Sequence, residues 1–314
     1  MSRRLGVVMD PIAQINIKKD TSFALLLAAQ ARGWSLVYFE QSDLYLLNGT
    51  VCGRGRALTV RDDPTGWFAL GEPVDAPLAT QLDLLLMRKD PPFDQEYLYS
   101  TYLLDLAEAN GLRVINRPAS IRDANEKLYA AWFPQCTPPT LVSRDMARIR
   151  GFLAEHGRIV VKPLDGMGGT GVFRIDQGDP NTGSILETLT QRGQQTIMAQ
   201  RFIPEISAGD KRILILNGQV VDHCLARIPA AGEARGNLAA GGRGVVQPIT
   251  SKDRWIAEQI APKLREKGLI FVGIDVIGEY LTEINVTSPT CLREIAAATG
   301  RDLASEFLAG LGLD

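Results

Sequence analysis

The chain has 314 residues, a length that predicts two or three domains at roughly 100–200 residues each. Apolar residues make up 45% and charged residues 22%, an ordinary globular composition that excludes collagen-like, disordered and disulfide-stapled chains. The 34 Lys and Arg nearly balance the 36 Asp and Glu, so the charge favours neither a nucleic-acid partner nor an anionic-membrane partner.

The inventory of reactive side chains narrows the possible chemistry further. The four cysteines lie far apart without a CxxC pair, which argues against a zinc site. Only two histidines are present, which nearly excludes a Ser-His-Asp or His-rich metal mechanism. The longest apolar run, residues 23–29, is far short of the roughly 18 residues that cross a membrane. Asp10 ends the first apolar stretch too early for a signal peptide, so we expect a cytoplasmic protein.

Strand and helix patterns alternate in the first third of the chain. Helical periodicity predicts helices over 21–32 and 96–109, closed by Gly33 and Gly111. Short apolar runs predict strands at 5–9, 36–39, 82–87 and 114–116. This alternation favours a mostly parallel sheet with helices on its faces. Residues 50–77, rich in Gly, Pro, Asp and Arg, are expected to form hairpins and loops.

The pattern changes after about Arg117. A helix is expected over 123–133, and from Arg158 onward strands follow one another through tight turns. The strongest hairpin signal is the Asn-Gly pair at 217–218. The predicted strands are 159–162, 172–175, 197–200, 213–216, 219–227, 270–277 and 281–286. The second half is therefore expected to be α+β with antiparallel pairing.

A glycine-rich loop contains G-x-G-x-x-G at Gly166, Gly168 and Gly171. A dinucleotide fingerprint would require a helix after the loop, but the strand-like stretch 172–175 follows, so we place the glycines at the tip of a hairpin. Such a loop can bind phosphates, because backbone N–H groups approach oxyanions closely where Cβ atoms are missing. Lys162 on the preceding strand favours that interpretation over a plain flexible turn, which stays the alternative.

The stretch 271–286 places three oxygen donors in an apolar context. Glu283 and Asn285 are two residues apart and therefore project from one face of a strand. A three-residue loop at 278–280 would put Asp275 opposite Glu283 on that face, whereas a two-residue turn would separate them. We predict the three-residue loop and a Mg²⁺ site, because this hard cation prefers oxygen ligands. The alternative is a pair of solvated strand faces, although an Asp facing a Glu is costly without a cation.

Arginines near the turn at 217–218 predict an anion site. Pairing of residue 216 with 219 places Arg212 and Arg227 on one sheet face, with His223 opposite Arg212. Two guanidinium groups on one face repel each other unless an anion bridges them, and both suit phosphate or carboxylate. We expect His223 to pack or form hydrogen bonds rather than to catalyse.

Residues 228–244 include five glycines and two arginines. The segment is too long to be a passive connection inside a compact domain. A lid that closes over an anion is favoured over a disordered linker, because both flanks belong to the same apparent domain. A lid in turn implies a water-sensitive intermediate.

Together these features fit phosphoryl transfer, in which positioning and charge stabilisation carry most of the rate. The chain resembles the ATP-grasp superfamily and, closely, the bacterial-type glutathione synthetase family over nearly its whole length. The most specific stretches are VMDPIAQINIKKD (8–20), LLMRKDPPFD (85–94), NEKLYAAWF (125–133), KPLDGMGG (162–169), CLARIP (224–229), RGNLAAGGRG (235–244) and LTEINVTSPTCLRE (281–294). Residues 50–80 and the tail after Glu294 match least.

The resemblance implies an ATP-grasp fold, α/β in its first half and α+β in its second. An N-terminal, mostly parallel α/β substrate domain would span 1–122, a small central lid domain 123–203, and a C-terminal antiparallel-sheet domain 204–314. The family also implies a homo-oligomer, specifically a tetramer.

The resemblance assigns roles residue by residue. The implied nucleotide-binding residues are Lys127, Lys162, Gly166, Gly168, Gly169, Met198, Gln200, Phe202, Ile203 and Asp210. The implied ligands of Mg²⁺, or of Mn²⁺, are Asp275, Glu283 and Asn285. The residues that would stabilise the transferring phosphoryl group are Arg212, Arg227 and Arg235. The implied peptide-substrate contacts are Lys18, Arg88, Ser288 and Arg293.

The implied reaction joins glycine to γ-glutamylcysteine at the expense of ATP through an acyl phosphate. In this interpretation Cys291 is a small buried residue and not the reactive thiol. Two alternatives remain open: another ATP-grasp ligase, such as a D-alanine–D-alanine-type or glutamate-adding enzyme, and a non-enzymatic ATP-binding regulatory module.

Overall fold

Three β-sheets organise the part of the chain that the computed structural model describes, residues 2–230, 236 and 241–313. Each sheet is built from a different third of the sequence, and helices pack between and around them. The helices are α1 (Thr21–Ala31), α2 (Leu78–Gln81), α3 (Gln95–Ala109), α4 (Pro118–Asp123), α5 (Met146–His156), α6 (Thr182–Leu189), α7 (Ser251–Glu266), α8 (Leu292–Thr299) and α9 (Leu303–Ala309). None of the described helices combines the length and hydropathy that crossing a bilayer requires.

The first sheet has seven strands in the order β3-β4-β2-β1-β6-β7, with β5 paired to β4. Its strands are β1 (Arg4–Val8), β2 (Ser35–Phe39), β3 (Leu44–Leu47), β4 (Thr50–Val60), β5 (Phe68–Pro77), β6 (Leu84–Met87) and β7 (Arg113–Ile115). The predicted parallel pairing holds for β1 with β2 and β6, and for β6 with β7. Strands β3 to β5 extend the sheet by antiparallel pairing.

Strands β4 and β5 form an antiparallel hairpin closed by a loop at residues 61–67, so the hairpin and loop expected within residues 50–77 are confirmed. The glycines inside β4 serve close packing rather than turns. A Cβ on Gly53 would come within 2.7 Å of the Phe39 ring, and one on Gly55 within 2.6 Å of Val37. The chain therefore needs glycine where β4 crosses the side chains of β2.

The helix predicted over 123–133 is wrong. Helix α4 ends at Asp123, and a separate 3₁₀ turn runs over Leu128–Trp132. Between them, Asn125 Oδ1 accepts hydrogen bonds from the backbone N–H groups of Lys127, at 3.2 Å, and Leu128, at 2.9 Å. An asparagine side chain that binds nearby N–H groups competes with helical hydrogen bonding. Here it separates helix α4 from the 3₁₀ turn, and Lys127 lies between the two.

The second sheet is fully antiparallel, in the order β10-β9-β11-β8. Its strands are β8 (Thr140–Ser143), β9 (Arg158–Pro163), β10 (Phe173–Asp176) and β11 (Ile197–Arg201). Helices α5 and α6 cover one face and share a small separate core with it, which includes Ile149, Leu153, Ile159 and Leu186. The opposite face is free to line a cavity.

The third sheet is also antiparallel, in the order β14-β13-β12-β15-β16. Its strands are β12 (Asp210–Leu216), β13 (Gln219–Ile228), β14 (Arg243–Pro248), β15 (Phe271–Ile277) and β16 (Tyr280–Asn285). The Asn-Gly turn at 217–218 joins β12 to β13 and pairs Leu216 with Gln219, as predicted.

A buried amide connects the first sheet to the third. Asn116, directly after β7, accepts hydrogen bonds from the N–H groups of Ile270, at 2.8 Å, and Phe271, at 2.9 Å. Its Nδ2 donates to Phe271 O and Val286 O, both at 2.8 Å. All the hydrogen-bonding groups of this side chain are thus used to hold β15 and the end of β16 against the N-terminal sheet.

A buried ion pair connects α7 to the third sheet. Lys211 Nζ donates to Asp253 Oδ1 and, at 3.0 Å, to Gly278 O. Asp253 is completely buried. Its Oδ2 accepts the N–H of Thr250 at 2.9 Å, and Thr250 Oγ1 accepts the Asp253 N–H at 3.1 Å. This capping box begins α7 and places the Asp253 charge beside Lys211.

We expect Lys211→Met to lower the free energy of unfolding by about 3–5 kcal/mol, because it leaves the Asp253 carboxylate buried without its cation. The double variant Lys211→Met/Asp253→Asn should recover part of that loss, since a neutral amide keeps an oxygen for the Thr250 cap. Urea unfolding measures both. Lys263→Met removes an exposed pair with Glu266 and should cost no more than about 1 kcal/mol; equal costs for the two lysines would refute the role of Lys211.

Candidate active site

A cavity of about 390 Å³ opens between the second and third sheets. Its size lies in the range typical of small-molecule sites. The second sheet contributes the glycine-rich loop and the end of β11, and the third contributes β12, β13, β15 and β16. The loop does lie between two strands, β9 and β10, and positive φ angles at Gly168 and Gly169 give it a backbone path that glycine adopts without strain.

The acidic hairpin brings Asp275 directly opposite Glu283, but the predicted three-residue loop is wrong. Ile277 pairs with Tyr280 across a two-residue turn, which alone would place the two carboxylates on opposite faces. A bulge at Thr282 supplies the missing residue and restores the register. Thr282 Oγ1 donates to Asp275 O at 3.1 Å and so holds the bulge in place.

Two lysines flank Glu283. Lys162 Nζ lies 3.2 Å from Glu283 Oε1 and Lys127 Nζ lies 3.9 Å from the same atom. Lys127 Nζ also donates to Gly166 O in the glycine loop. Burial raises the pKa of Glu283, but the charges of Lys162 and Lys127 outweigh it, so the net pKa lies below the usual value. Glu283 is therefore held as a carboxylate beside two amines.

Two arginines clamp Asp275. Arg212 binds it through Nε to Oδ1 at 2.5 Å and through Nη2 to Oδ2 at 3.0 Å. Arg227 Nη2 lies 2.9 Å from the same Oδ2 and 2.5 Å from Asp210 Oδ2. Burial alone would raise the pKa of Asp275, but Arg212 and Arg227 lower it far below the usual range. Burial raises the pKa of Asp210 to about 6, and the nearby Asp275 and Glu283 charges add to this against the opposing effect of Arg227.

Arg212 and Arg227 were predicted to share a face and to need a bridging anion. The carboxylate of Asp275 bridges them. The predicted position of His223 is wrong: pairing shifts by two residues beyond Ile215, and Arg212 lies opposite Leu225. A shift of two residues preserves the face, so Arg212 and Arg227 still point to the same side. His223 pairs with Pro248 instead.

The other residues singled out from the sequence fall into three groups. Those that line the cavity besides the ones above are Gly166, Gly168, Gly169, Gln200, Phe202, Ile203 and Ser288. Those outside its lining are Met198, which is buried within β11; Lys18, which is exposed; and Arg88 and Arg293. Arg235 and most of the proposed lid lie outside the described residues, although Gly236 does line the cavity.

Arg88 and Arg293 are held by other parts of the protein. Arg88 donates to Ser22 Oγ at 3.0 Å and to Pro289 O at 2.9 Å. Arg293 donates to Ile17 O at 2.5 Å and to Asp62 Oδ2 at 2.6 Å. Arg88 reaches the cavity only through the wall residue Pro289, which does line it.

The oxygen donors of the hairpin suit a divalent cation. Asn285 pairs with Gly273, two residues from the Asp275–Glu283 pair, and all three predicted ligands line the cavity. Asn285 Nδ2 donates to Gly273 O at 3.3 Å, so the protein fixes the nitrogen side of the amide and Oδ1 is the atom that would face a cation. Two carboxylates and an amide oxygen are ligand types that Mg²⁺ prefers, and they would leave positions for water and substrate phosphate.

Sequence reasoning missed Glu126, which also lines the cavity. Glu126 directly precedes Lys127, and its side chain binds Thr287 rather than solvent. Nothing in the local pattern distinguishes this glutamate from an exposed one, because its partners are about 160 residues away in the chain.

The chain has the ATP-grasp fold. It aligns with the D-cycloserine synthetase DcsG at a TM-score of 0.67 and 18% identity, covering 98% of both chains. It aligns with the RimK domain ATP-grasp protein of Sphaerobacter thermophilus at a TM-score of 0.63 and 18% identity, again over 98% of both.

Within that class, the chain belongs to the prokaryotic glutathione synthetase family. Residues 4–122 match the family's N-terminal domain, and residues 126–300 match its ATP-grasp domain. The chain is 63% identical to the glutathione synthetase of Pseudomonas putida over 308 residues, which cover 98% of this chain and 97% of the relative. It is 64% identical to that of Pseudomonas aeruginosa over 298 residues, covering 95% and 94%. The resemblance found in the sequence is therefore confirmed, and the chain is an ATP-dependent ligase.

Proposed function

We propose that the protein ligates glycine to the cysteinyl carboxylate of γ-glutamylcysteine, converting ATP to ADP and phosphate and forming glutathione. The observation that carries the proposal is the meeting of Lys127 and Lys162 with Glu283, beside the Arg212–Asp275–Arg227 cluster, in one cavity. A cavity that brings amines, carboxylates and guanidinium groups this close together suits phosphoryl transfer to a carboxylate.

The nucleotide would lie between the two sheets. Lys127 and Lys162 would bind its phosphates, and the glycine loop would cover them with backbone N–H groups. The adenine would lie along residues 198–203, the end of β11 and the two residues after it, of which 200–203 line the cavity. Since Lys162 lies 3.2 Å from Glu283, a phosphate bound there would also lie next to the acidic hairpin.

Asp275, Glu283 and Asn285 would hold Mg²⁺ or Mn²⁺ together with phosphate oxygens. When bound, such an ion neutralises charge on the phosphates during transfer. The arrangement of the ligands supports the proposal because each of them reaches the cavity from a paired strand.

The arginines would act on the transferring group. Arg212 and Arg227 are buried and fixed by Asp275 and Asp210, so their positive charges are already oriented before substrate binds. The substrate carboxylate would attack the γ-phosphorus, break its bond to the bridging oxygen of ADP, and give an acyl phosphate and ADP. The glycine amine would then attack the acyl carbon, lose a proton and release phosphate. Residues 228–244, with Arg235, would exclude water from that intermediate.

We further propose that Lys18, Arg88, Ser288 and Arg293 serve the peptide-substrate pocket. Among these, Ser288 lines the cavity directly, and Arg88 supports its wall by donating to Pro289 O.

We also propose three domains bounded at 122/123 and 203/204, a homotetrameric assembly, and a cytoplasmic location.

Phosphate release in the presence of ATP and Mg²⁺ tests the function. Turnover should require γ-glutamylcysteine and glycine together and should yield glutathione in equal amount. Release with D-alanine or with a glutamate pair, and none with γ-glutamylcysteine and glycine, would reject the proposal in favour of another ATP-grasp ligase. Bound ATP that never turns over with any pair would indicate a regulatory module.

A further inference from the structure

Three consecutive residues join the glycine loop to the strand that carries the oxygen donors. Asn125 Nδ2 donates to Leu164 O at 3.1 Å, and Lys127 Nζ donates to Gly166 O. Both contacts are made to the second sheet and its loop. Glu126, between them, binds the third sheet instead, so this short segment touches both walls of the cavity.

The contacts of Glu126 surround one predicted metal ligand. Its carbonyl oxygen accepts the N–H of Ile284 at 2.8 Å. Its Oε1 accepts the N–H groups of Val286, at 2.8 Å, and Thr287, at 2.9 Å, together with the Thr287 hydroxyl at 2.8 Å. Asn285 lies between these bonded neighbours in the chain.

The position of β16 in the sheet explains why these bonds matter. It is an edge strand, so one row of its backbone groups has no strand partner. The N–H of Leu281 donates to Cys136 O and that of Ile284 to Glu126 O, both at 2.8 Å. Glu126 therefore closes the open edge at the end where the oxygen donors of Glu283 and Asn285 lie.

We propose that Glu126 is a positioning residue for the divalent cation. It acts through β16: its backbone carbonyl holds the N–H of Ile284, before Asn285, and its carboxylate accepts three hydrogen bonds from Val286 and Thr287, after it. Together these contacts fix the spacing of the Asn285 and Glu283 oxygens. Glu126 also directly precedes Lys127 in the chain, so one short segment connects the proposed cation ligands to a proposed phosphate-binding amine. The inference rests on the nucleotide and metal part of the proposed function and not on which carboxylate and amine are joined.

Mn²⁺ binding in the presence of ADP tests this role without turnover. Free Mn²⁺ is followed by its electron paramagnetic resonance signal for the wild type, Glu126→Ala, Glu126→Gln and Glu258→Ala, an exposed control on α7. We expect the Glu126→Ala variant to bind Mn²⁺ about tenfold more weakly, the lower end for a lost outer-shell partner of a metal ligand. Glu126→Gln should stay within about threefold of wild type, because its amide oxygen accepts the same three hydrogen bonds. Glu258→Ala should not differ from wild type.

Two results would overturn the proposal. Wild-type Mn²⁺ affinity in Glu126→Ala would show that β16 keeps its geometry without this residue. Equal weakening in the Ala and Gln variants would show that the charge acts on the cation directly and not through the strand. If the Ala variant does not fold, Glu126→Asp serves in its place, since the shorter side chain cannot reach the same donors.

The metal-binding measurement separates this inference from the proposed reaction. A wild-type protein that binds Mn²⁺ with ADP but does not ligate γ-glutamylcysteine and glycine would refute the substrates and leave the role of Glu126 measurable. Ligation by the wild type, with unchanged Mn²⁺ affinity in Glu126→Ala, would refute the role of Glu126 alone.

Discussion

Glu283→Gln is expected to lower turnover by roughly 10²- to 10³-fold, the usual cost of losing one charge-stabilising group. The substitution is nearly isosteric but removes the charge that faces Lys127 and Lys162 and one of the two carboxylates proposed for the cation. Weaker metal binding should accompany the loss, so raising the Mg²⁺ concentration should restore part of the rate. Steady-state kinetics at several Mg²⁺ concentrations measures both effects.

Glu279→Gln is the matched control, because Glu279 lies in the turn of the same hairpin but is exposed. It should retain wild-type turnover and wild-type Mg²⁺ dependence. A Glu283→Gln enzyme with near-normal activity would remove Glu283 from the proposed metal site.

The second large effect is expected from Arg227→Met, which should reduce both stability and turnover. Without this guanidinium, Asp210 loses its arginine partner among the described residues, and Asp275 keeps Arg212. Removing one partner of a buried ion network costs about 3–5 kcal/mol, because the remaining carboxylates stay buried and repel each other. Urea unfolding measures the stability, and turnover of the folded fraction measures the catalytic part.

Arg254→Met provides the comparison, since Arg254 pairs with Asp222 at 2.6 Å on the surface. An exposed pair contributes at most about 1 kcal/mol, so this variant should lose little stability and no activity. Equal stability losses in the two variants would mean that the buried cluster contributes no more than a surface pair.

The sequence predicted the strands near the site well because their signals are local. A few consecutive residues are enough to recognise the apolar runs of β9, β11 and β12, the Asn-Gly turn and the glycine loop. The grouping of Asp275 with Glu283 was also correct, since an acidic residue inside a buried strand requires a partner.

Register was harder to predict, because it depends on irregularities that no local pattern reveals. The Thr282 bulge, held by the Asp275 carbonyl, and the shift beyond Ile215 in the β12–β13 pair each move the pairing that a regular ladder would give. Asp275 and Glu283 lie opposite each other, as predicted, because the hairpin contains one residue more than a regular two-residue turn allows. That extra residue lies in strand β16 as a bulge and not in the loop.

Long-range contacts account for what the sequence could not reveal at all. Asn116 and Glu126 resemble ordinary polar residues in the chain, but each binds backbone groups about 150–160 residues away. The glycines of β4 resemble turn residues until the Phe39 ring is placed against them. In each case the deciding partner is brought near only by the complete fold.

Transfer of ¹⁸O from the substrate carboxylate to phosphate is the sharpest single test of carboxyl activation at this site. With γ-glutamylcysteine labelled in both oxygens of its cysteinyl carboxylate, each turnover with glycine should place one ¹⁸O in the released phosphate and leave the other in the new amide carbonyl. Released phosphate without ¹⁸O would show that the carboxylate never attacks the γ-phosphorus, and the proposed roles of the lysines, arginines and acidic hairpin would then be wrong.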